Sequence, residues 1–342
     1  MFSAIEIDNF KCIGRRIRVE LAPLTLVFGA NDAGKSAILQ SFGCLRHLLQ
    51  QVSTGKDGSV LGDPVDSPSF ARLVHRHDLL RPICFRVGLG DVHWIETRVR
   101  CTEGPPERAS ISEFIINRHD ATALILTALR DAIHIGAPRA IPPRDFPTGH
   151  DARRIGWTDG LAAWEALVAD EDGLVDATNM WLERIGAGRL GSIPQSSDLG
   201  SRRSIVPCEA GSGLMQLVPI VVAALHGSLR GPILLEHPEL SLHPALQVGL
   251  GDLFIEASRS RQIIVETHSE HLLLRILRRI LETTENALPE GAPAFTPDQL
   301  SVIHLKAGEE GPQVQRLRVN AFGDFLAPWP SGFFEERAKE LF

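Results

Sequence analysis

Two short stretches of the sequence bring together residue types that could do chemistry. The first, GANDAGKS at 29–36, has glycines, a lysine and a serine in the pattern GxxxxGK(S/T). The second, ILLEHPELSLHP at 233–244, is an apolar run followed by acids and histidines. Glycine loops of the first kind hold phosphate groups, and carboxylates of the second kind hold a metal ion or activate water. Together the two stretches predict phosphate chemistry with a divalent cation.

The glycine-rich stretch lies between a predicted strand and a predicted helix, where phosphate loops are found. The apolar run LTLVF at 24–28 leads into it, and apolar residues at helical spacing follow over 35–51. Glycines let backbone amides curl around phosphate oxygens at the positive end of that helix. Lys35 can then reach the β- and γ-phosphates, and the Ser36 hydroxyl can ligate Mg²⁺. We therefore predict a nucleoside triphosphate site formed by Gly29, Ala30, Asn31, Asp32, Ala33, Gly34, Lys35, Ser36 and Ala37.

In the second stretch, Glu236 ends the apolar strand and is predicted to be the acid beside the metal ion, with Ser36 as the other metal ligand. A carboxylate at this position could instead cap the strand or pair with an arginine. The general base stays open between His237 and Glu239. An imidazole has a reference pKa of about 6.5 and is partly charged at neutral pH. Glu239 is separated from Glu236 by a turn at Pro238.

Two later segments carry polar residues at the start or end of an element. CEAGSGLMQLVP at 208–219 puts Ser212 and Gly213 at the start of a helix, where a second subunit's γ-phosphate could be held. An N-capped helix after a flexible turn explains this segment equally well. IIVETHSEHL at 263–272 ends a strand at His268, whose ring could touch the γ-phosphate.

The elements that would position these residues alternate between strand and helix over much of the chain. Apolar periodicity predicts strands at 2–8, 17–21, 24–28, 83–88, 92–101, 233–235, 262–265, 300–306 and 313–319. It predicts helices at 35–51, 112–133, 160–169, 174–185, 245–257 and 270–282. The alternation favours a mostly parallel sheet with helices on both faces, and the start of the chain reads as a meander of strands.

Composition narrows the class of protein. The chain has 342 residues and a formal net charge of −7, which does not support nucleic-acid binding by the whole surface. Basic clusters at 275–279 and 201–204 could contact nucleic-acid phosphates, although solvated surface explains them better. Five scattered cysteines suit a reducing compartment. The sequence shows no secretory leader, and its longest apolar run, 214–225, is too short to span a bilayer, so we expect a cytoplasmic protein without a membrane partner.

The order of these motifs resembles that of the ABC-type P-loop ATPases: phosphate loop, Ser-Gly helix, acid strand, short loop and a strand ending in histidine. The opening IEIDNFKCIGRRIRVELAPLTLVFGANDAGKSAILQSF at 5–42 is similar to the RecF/SMC/OLD-like branch. So are LLEHPELSLHPALQ at 234–247 and IIVETHSEHLLLRI at 263–276. Three weaker matches resemble a subgroup of compact prokaryotic AAA-family ATPases with an uncharacterised C-terminal module: IHIGAPRAIPPR (133–144), RIGWTDGLAAWEAL (154–167) and GDFLAPWPSGFFEERAKEL (323–341).

The resemblance implies an α/β fold of a particular kind. It would be an ABC-ATPase head with a mostly parallel core sheet flanked by helices, plus an antiparallel β subdomain. The expected parts are an N-terminal lobe with the phosphate loop (1–101), a mixed helical and loop insertion (102–205), a C-terminal lobe (206–285) and a small C-terminal module (286–342).

The resemblance also implies roles for individual residues, with ATP and Mg²⁺ as cofactors. Glu236 would hold Mg²⁺ directly or through water, and His268 would be the switch histidine. Ser212 and Gly213 would form the signature that acts on the opposite subunit, and residues 240–244 would form the D-loop. Such a site is complete only when two heads sandwich two nucleotides, so a homodimer or a dimer with a related ATPase head is implied.

Three departures from the family pattern shape the expected function. His237 stands where members often carry a glutamate, no glutamine occurs between Gln51 and Gln195 to serve as a Q-loop, and no D-x-D pair follows His268, so no Toprim nuclease is expected. We expect a slow dimeric ATPase whose ATP-driven closure gates a separately encoded effector, in antiviral defence or DNA repair. The alternatives are a nucleotide-gated scaffold with little or no hydrolysis and a DNA-binding repair ATPase.

Overall fold

The computed structural model of the chain describes residues 1–54, 70–90, 92–101, 109–117, 121–141, 157–169, 173–192, 205–206, 212–227 and 230–330. Within them the strands are β1 (Ala4–Asp8), β2 (Ile17–Glu20), β3 (Leu24–Gly29), β4 (Ile83–Leu89), β5 (His93–Cys101), β6 (Ala109–Asn117), β7 (Ile133–Ile135), β8 (Gly191–Ser192), β9 (Ile205–Val206), β10 (Ile233–Glu236), β11 (Ile263–Glu266), β12 (Leu300–Lys306) and β13 (Gln313–Leu317). The helices are α1 (Lys35–Thr54), α2 (Thr122–Arg130), α3 (Leu161–Ala169), α4 (Leu174–Arg184), α5 (Ser212–Leu225), α6 (Pro244–Ser258) and α7 (Glu270–Thr284). None of the helices in this part of the chain combines the length and apolar character that crossing a bilayer requires.

A six-stranded sheet in the order β13-β12-β3-β11-β10-β7 forms the centre of the fold. Strands β12, β3, β11, β10 and β7 are mutually parallel, and β13 pairs antiparallel with β12 at the edge. The residues of β3 are buried throughout, as expected for a parallel strand covered on both faces. The chain leaves β3 for the β7 edge, returns through β10 and β11, and reaches β12 on the other side of β3. The carboxyl ends of β3, β11 and β10 therefore lie at a topological switch point, where ligands bind in sheets of this kind.

A second sheet, antiparallel and in the order β2-β1-β4-β5-β6, shares a buried core with α1. Helix α1 contributes Phe42 and Leu45 to an apolar cluster that includes residues of both sheets, such as Ile7 and Ile264. Burying each such side chain stabilises the fold by about 1.5–3 kcal/mol. The cluster fixes α1 on one face of the central sheet, with its N-terminus directly after the loop that follows β3.

The opposite face of the central sheet is covered by helices α3 to α7. Trp164 of α3, Val218 of α5, Phe254 of α6 and Ile276 of α7 are buried in one apolar cluster with that face. The sequence of α5, SGLMQLVPIVVAAL, is apolar nearly all round, as a helix enclosed by other elements requires. This packing anchors α5 behind the sheet.

The predicted α/β class is confirmed: the core sheet is mostly parallel, helices flank it, and an antiparallel β subdomain adjoins it. The strand pair predicted at 300–306 and 313–319 is also confirmed, as β12 and β13. Strand β12 pairs with β3, so the predicted C-terminal module adds to the central sheet, while the predicted domain boundaries stay predictions. The basic cluster at 201–204 and residues 331–342 lie outside the described residues.

The helix predicted at 112–133 is wrong at both ends. Ala109–Asn117 forms β6, which pairs antiparallel with β5, and the helix covers only Thr122–Arg130. Three isoleucines in ASISEFIIN favour a strand, and pairing with β5 satisfies the backbone groups. Ile133–Ile135 forms β7, which pairs parallel with β10. Apolar periodicity alone did not separate this succession of strand, helix and strand from one longer helix.

A buried ion pair between α6 and α7 provides a test of the packing. Nε and Nη2 of Arg279 donate to the two carboxylate oxygens of Asp252, at 2.7 and 2.8 Å, and only 5% of Arg279 is exposed. We expect Asp252→Ala to lower the free energy of unfolding by about 1–3 kcal/mol, because the buried guanidinium loses its bidentate partner and keeps only Glu282. Arg278→Ala, at an exposed position of α7, should lower it by less than about 0.5 kcal/mol. Urea unfolding measures both variants, and equal losses would contradict the role given to Asp252.

Candidate functional site

The loop between β3 and α1 is closed around its own lysine. Gly34 has a φ of 95°, and a Cβ added there would lie 2.8 Å from Cys12 Sγ, so both conformation and space require glycine. The Lys35 ammonium donates to the carbonyls of Gly29 and Ala30, at 3.1 and 2.9 Å. Burial lowers the pKa of Lys35, against the opposing effect of nearby carboxylates. The loop thus holds its lysine at the positive end of α1, where phosphate would bind.

A cavity of about 580 Å³ opens beside this loop. Its volume falls within the range of small-ligand sites. The cavity is lined by Lys11, Cys12, Asn31, Asp32, Gly34, Lys35, Ser36, Ala37, Gln40, His237 and Glu266. The structure therefore brings predicted loop residues and His237 together. It adds four residues that sequence reasoning missed: Lys11, Cys12, Gln40 and Glu266.

Glu266, at the carboxyl end of β11, contacts the phosphate loop directly. Its Oε1 accepts a hydrogen bond from the Ser36 hydroxyl at 2.9 Å and lies 4.0 Å from the Lys35 ammonium. Its Oε2 is buried and has no hydrogen-bond partner among the described residues. A signal for this residue is present in the sequence, because IIVE at 263–266 is an apolar strand ending in a carboxylate, just as ILLE at 233–236 is.

Glu236 lies one strand further from the phosphate loop. It is in register with Glu266 across the β10–β11 pair, so the two carboxylates project from the same face of the sheet. The Oε1 atom of Glu236 lies 3.0 Å from Nε2 of His134, a buried residue of β7. Ser36 thus contacts Glu266, and the metal-binding role of Glu236 stays a prediction.

His237 follows β10 in a left-handed backbone conformation, with a φ of 43°. Its ring lies between two acids: Nδ1 is 3.5 Å from Oε1 of Glu239, and Nε2 is 3.4 Å from Oε1 of Glu266. Hydrogen bonds to Glu239 and Glu266 raise the pKa of His237 to about 9. The ring is therefore a cation at neutral pH, and it lies parallel to the His268 ring with centroids 5.3 Å apart.

The Glu239 carboxylate ties the turn after β10 to the end of β11. Its Oε2 accepts from the Thr267 hydroxyl at 2.7 Å, and its Oε1 accepts from the His268 backbone N–H at 2.8 Å. Burial acts to raise the pKa of Glu239, but hydrogen bonds from His237, His268 and Thr267 outweigh burial and lower that pKa. Burial and the charges of Lys35 and His237 lower the pKa of the His268 ring. Neutral pH therefore favours anionic Glu239 and cationic His237 beside a neutral His268.

Helix α5 begins at Ser212, where the sequence predicted a helix start. Its second residue lies against the predicted D-loop, because a Cβ added to Gly213 would come 2.8 Å from the Ser241 carbonyl oxygen. Ser241 itself has a left-handed φ of 62°. The structure thus brings the two predicted segments, helix start and D-loop, into direct contact within one chain.

Two solved structures are similar to this arrangement over nearly their whole length. The SMC head bound to the C-winged helix domain of ScpA matches with a TM-score of 0.53 at 13% identity, covering 94% of this chain and 98% of that chain. The SMC head domain with an extended coiled coil bound to the C-terminal domain of ScpA, derived from Pyrococcus furiosus, matches with a TM-score of 0.51 at 12% identity, covering 99% of this chain and 98% of that chain. The chain has the fold of an ABC-type ATPase head.

A protein-family model described as "AAA domain, putative AbiEii toxin, Type IV TA system" matches residues 192–275. The matched segment contains α5, the acid strand β10 and His268. Comparison with curated proteins gives no significant match. The fold and the AAA-domain match over residues 192–275 both agree with an ABC-type P-loop ATPase, which the order of the motifs predicts. The RecF/OLD-like branch stays a prediction.

We expect Lys35→Ala to abolish ATP binding without unfolding the chain. The ammonium is bonded to two carbonyls of its own loop, so its removal leaves both apolar clusters of the core unchanged. Calorimetry with ATP and Mg²⁺ measures the affinity, and thermal unfolding checks the fold. Lys306→Ala, at an exposed position at the end of β12, is the control and should bind like the parent. Parent-like affinity in Lys35→Ala would show that this loop does not hold phosphates.

Proposed function

We propose that the chain is a dimeric ATPase head that binds ATP with Mg²⁺, hydrolyses it slowly and gates a partner protein as it closes and opens. The observation that carries this proposal is the contact between Ser36 and Glu266 in the cavity beside the phosphate loop. A hydroxyl in the first turn of α1 and a carboxylate from a neighbouring strand are the protein groups that Mg²⁺ uses beside β- and γ-phosphates.

The oxygens around Ser36 fit a hard divalent cation. One oxygen of Glu266 accepts from Ser36, and the other is buried without a partner among the described residues. Buried carboxylate oxygens are normally satisfied, so this one supports a bound cation or its water shell. Ser36 and Glu266 would hold Mg²⁺, and Glu236 would act from the next strand through water. The bound ion would neutralise charge on the phosphates, while Lys35 would exchange its loop carbonyls for phosphate oxygens.

Slow hydrolysis follows from the charges where a general base would act. Glu239 and Glu266 raise the pKa of His237, which opposes acceptance of a proton from water by its ring. Both oxygens of Glu239 already accept hydrogen bonds from the end of β11, and its lowered pKa makes it a weak base. We therefore expect long-lived ATP-bound dimers. His268, beside His237, would sense the γ-phosphate.

Helix α5 and the comparisons with solved structures support the proposed dimer and the proposed partner protein. Free N–H groups at a helix N-terminus favour phosphate, so Ser212 and Gly213 would hold the γ-phosphate of the opposite head. Two SMC heads of similar fold are described as bound to domains of ScpA, which supports a partner protein for this chain. The description of the matched family names a toxin–antitoxin system, which supports antiviral defence ahead of DNA repair.

We expect the parent to release phosphate from ATP over many turnovers and Ser212→Arg to lose this activity. The new guanidinium would occupy the space of the opposite subunit's γ-phosphate, while the nucleotide of the same chain would still bind its own phosphate loop. A phosphate-release assay measures turnover, and calorimetry measures nucleotide binding. Absence of turnover in the parent would leave the nucleotide-gated scaffold as the function.

The matched control for Ser212→Arg is Asp176→Arg, which places a new arginine at an exposed site in the first turn of α4. It should hydrolyse ATP at the parent rate, since α4 makes no proposed contact with nucleotide. Turnover by Ser212→Arg at the parent rate would contradict the role given to α5.

We expect His237→Glu to raise turnover, because it replaces a cation with a group that can accept the proton of the attacking water. General-base catalysis contributes roughly 10²–10⁴-fold, which sets the upper limit of the gain. His237→Ala is the control and should hydrolyse near the parent rate. Steady-state phosphate release over all three proteins is the measurement. A large loss in His237→Ala, with Glu239→Gln near parent activity, would instead make the histidine the catalytic base.

A further inference from the structure

Arg139 lies in the loop after β7, with 3% of its surface exposed, and its guanidinium reaches the turn after β10. Its Nη2 donates to the backbone carbonyl of Glu236 at 2.6 Å and to that of His237 at 3.0 Å. These carbonyls belong to the peptide units on either side of the His237 Cα. The Arg139 guanidinium therefore holds both peptide planes beside His237. The left-handed conformation of His237 costs on the order of 1 kcal/mol.

The same arginine is joined to α5. Its backbone N–H donates to Oε1 of Gln216 at 2.9 Å, and its carbonyl accepts from Nε2 of Gln216 at 2.8 Å. Gln216 is buried and lies about one helical turn after Gly213. The start of α5 and the turn after β10 thus share a buried polar connection through Arg139.

The turn is also held at its far end. Gly213 of α5 lies against the Ser241 carbonyl, with room for no side chain. His237 and Ser241 both have left-handed backbones, at φ values of 43° and 62°. Two such residues in one turn need support from outside it. Helix α5 supplies that support at both ends, directly at Ser241 and through Arg139 at His237.

We propose that Arg139 is a positioning residue that holds His237 and Glu239 at the site and transmits to them the engagement of α5 with the opposite head's nucleotide. This rests on the proposed function, in which α5 contacts that nucleotide and the turn after β10 adjoins the hydrolysed phosphate. Movement of the first turn of α5 would displace Gln216. The displacement would pass through Arg139 to the peptide units around His237.

A guanidinium is required for this role. Burial lowers the pKa of Arg139 to about 10, so the side chain stays charged at neutral pH. Its Nη2 holds both carbonyls of the turn while its Nη1 donates to Oε1 of Gln216 at 3.5 Å, so the two arms of one planar group reach the turn and α5 at the same time. Lysine would keep the charge but offers a single flexible ammonium. Arg139→Lys therefore changes the geometry of the connection and leaves the charge in place.

Arg261 provides a matched control at the other end of α5. It is 5% exposed, and burial lowers its pKa to about 10 as well. Its Nη1 donates to the Ala223 carbonyl at 2.8 Å and its Nε donates to the Gly231 carbonyl at 3.2 Å. Arg261→Lys thus disturbs the same kind of buried carbonyl cluster, away from the turn after β10.

The first measurement is steady-state hydrolysis of ATP. We expect Arg139→Lys to lower kcat by about 10- to 100-fold, because displacement of the turn would move Glu239, the remaining candidate base, and small displacements of a reacting group have effects of that size. KM and the calorimetric affinity for ATP should stay near the parent values, since the phosphate loop is untouched. Arg261→Lys should keep the parent kcat, although both variants lose comparable stability. Equal kcat losses in the two lysine variants would overturn the proposal.

The second measurement is amide hydrogen exchange of residues 237–243, with and without Mg²⁺ and a slowly hydrolysed ATP analogue. The analogue should slow exchange in the parent and in Arg261→Lys but not in Arg139→Lys. Gln216→Leu keeps the arginine and cuts its link to α5, so it should also lose the slowing by nucleotide. It serves as the decisive variant if Arg139→Lys does not fold. If nucleotide still slows exchange in Gln216→Leu, the proposal is overturned. Hydrogen exchange tests the role of Arg139 even if the parent protein does not hydrolyse ATP. Absence of turnover in the parent would contradict only the proposed hydrolysis.

Discussion

Parallel pairing brings the carboxyl ends of β3, β11 and β10 to one edge of the central sheet, and the chemistry of this chain depends on that alignment. Strand β3 delivers the phosphate loop, β11 delivers Glu266 and β10 delivers Glu236. Because the register pairs Glu236 with Glu266, the two carboxylates end neighbouring strands on the same face of the sheet. Neighbouring like charges of this kind favour cations. In the structure Lys35 and His237 lie beside Glu266, while Glu236 is paired with His134 of β7.

The charged side chains of the site contact one another directly. Oε1 of Glu266 is shared by the Ser36 hydroxyl, the Lys35 ammonium and Nε2 of His237. A magnesium ion and a triphosphate would bring their own opposite charges to the same place. Binding would therefore rearrange existing ion pairs, with Lys35 moving to phosphate oxygens and Glu266 to the metal. In the proposed function, the position of His237 between Glu239 and Glu266 would favour ATP binding over hydrolysis.

The turn after β10 links the parts of the site that lie on separate elements. Glu239 fixes it to the end of β11 through Thr267 and His268. Helix α5 supports it through Arg139 and against Ser241. The backbone of this turn is strained at two residues, so its position depends on these outside contacts. In the proposed dimer, the element that would contact the opposite head is the same element that supports this turn.

The amino-acid sequence by itself determined the features that local chemistry encodes. The phosphate loop could be predicted because its glycines, lysine and serine act within eight consecutive residues, and the strand and helix around it follow from apolar periodicity. The apolar strand that ends in Glu236 and the apolar strand that leads to His268 could also be predicted. Only the tertiary structure decided which acid meets Ser36. Both Glu236 and Glu266 end apolar strands, and the insertion of β11 between β3 and β10 places Glu266 there.

Arg139 carried no such signal, since its partners Gln216 and Glu236 lie 77 and 97 residues away. Residues 112–117 could not be distinguished from part of a helix by their sequence, and their pairing with β5 made them a strand. Spacing along the chain encodes backbone preference and burial, whereas strand order and register, which arise from packing of distant segments, decide which side chains meet.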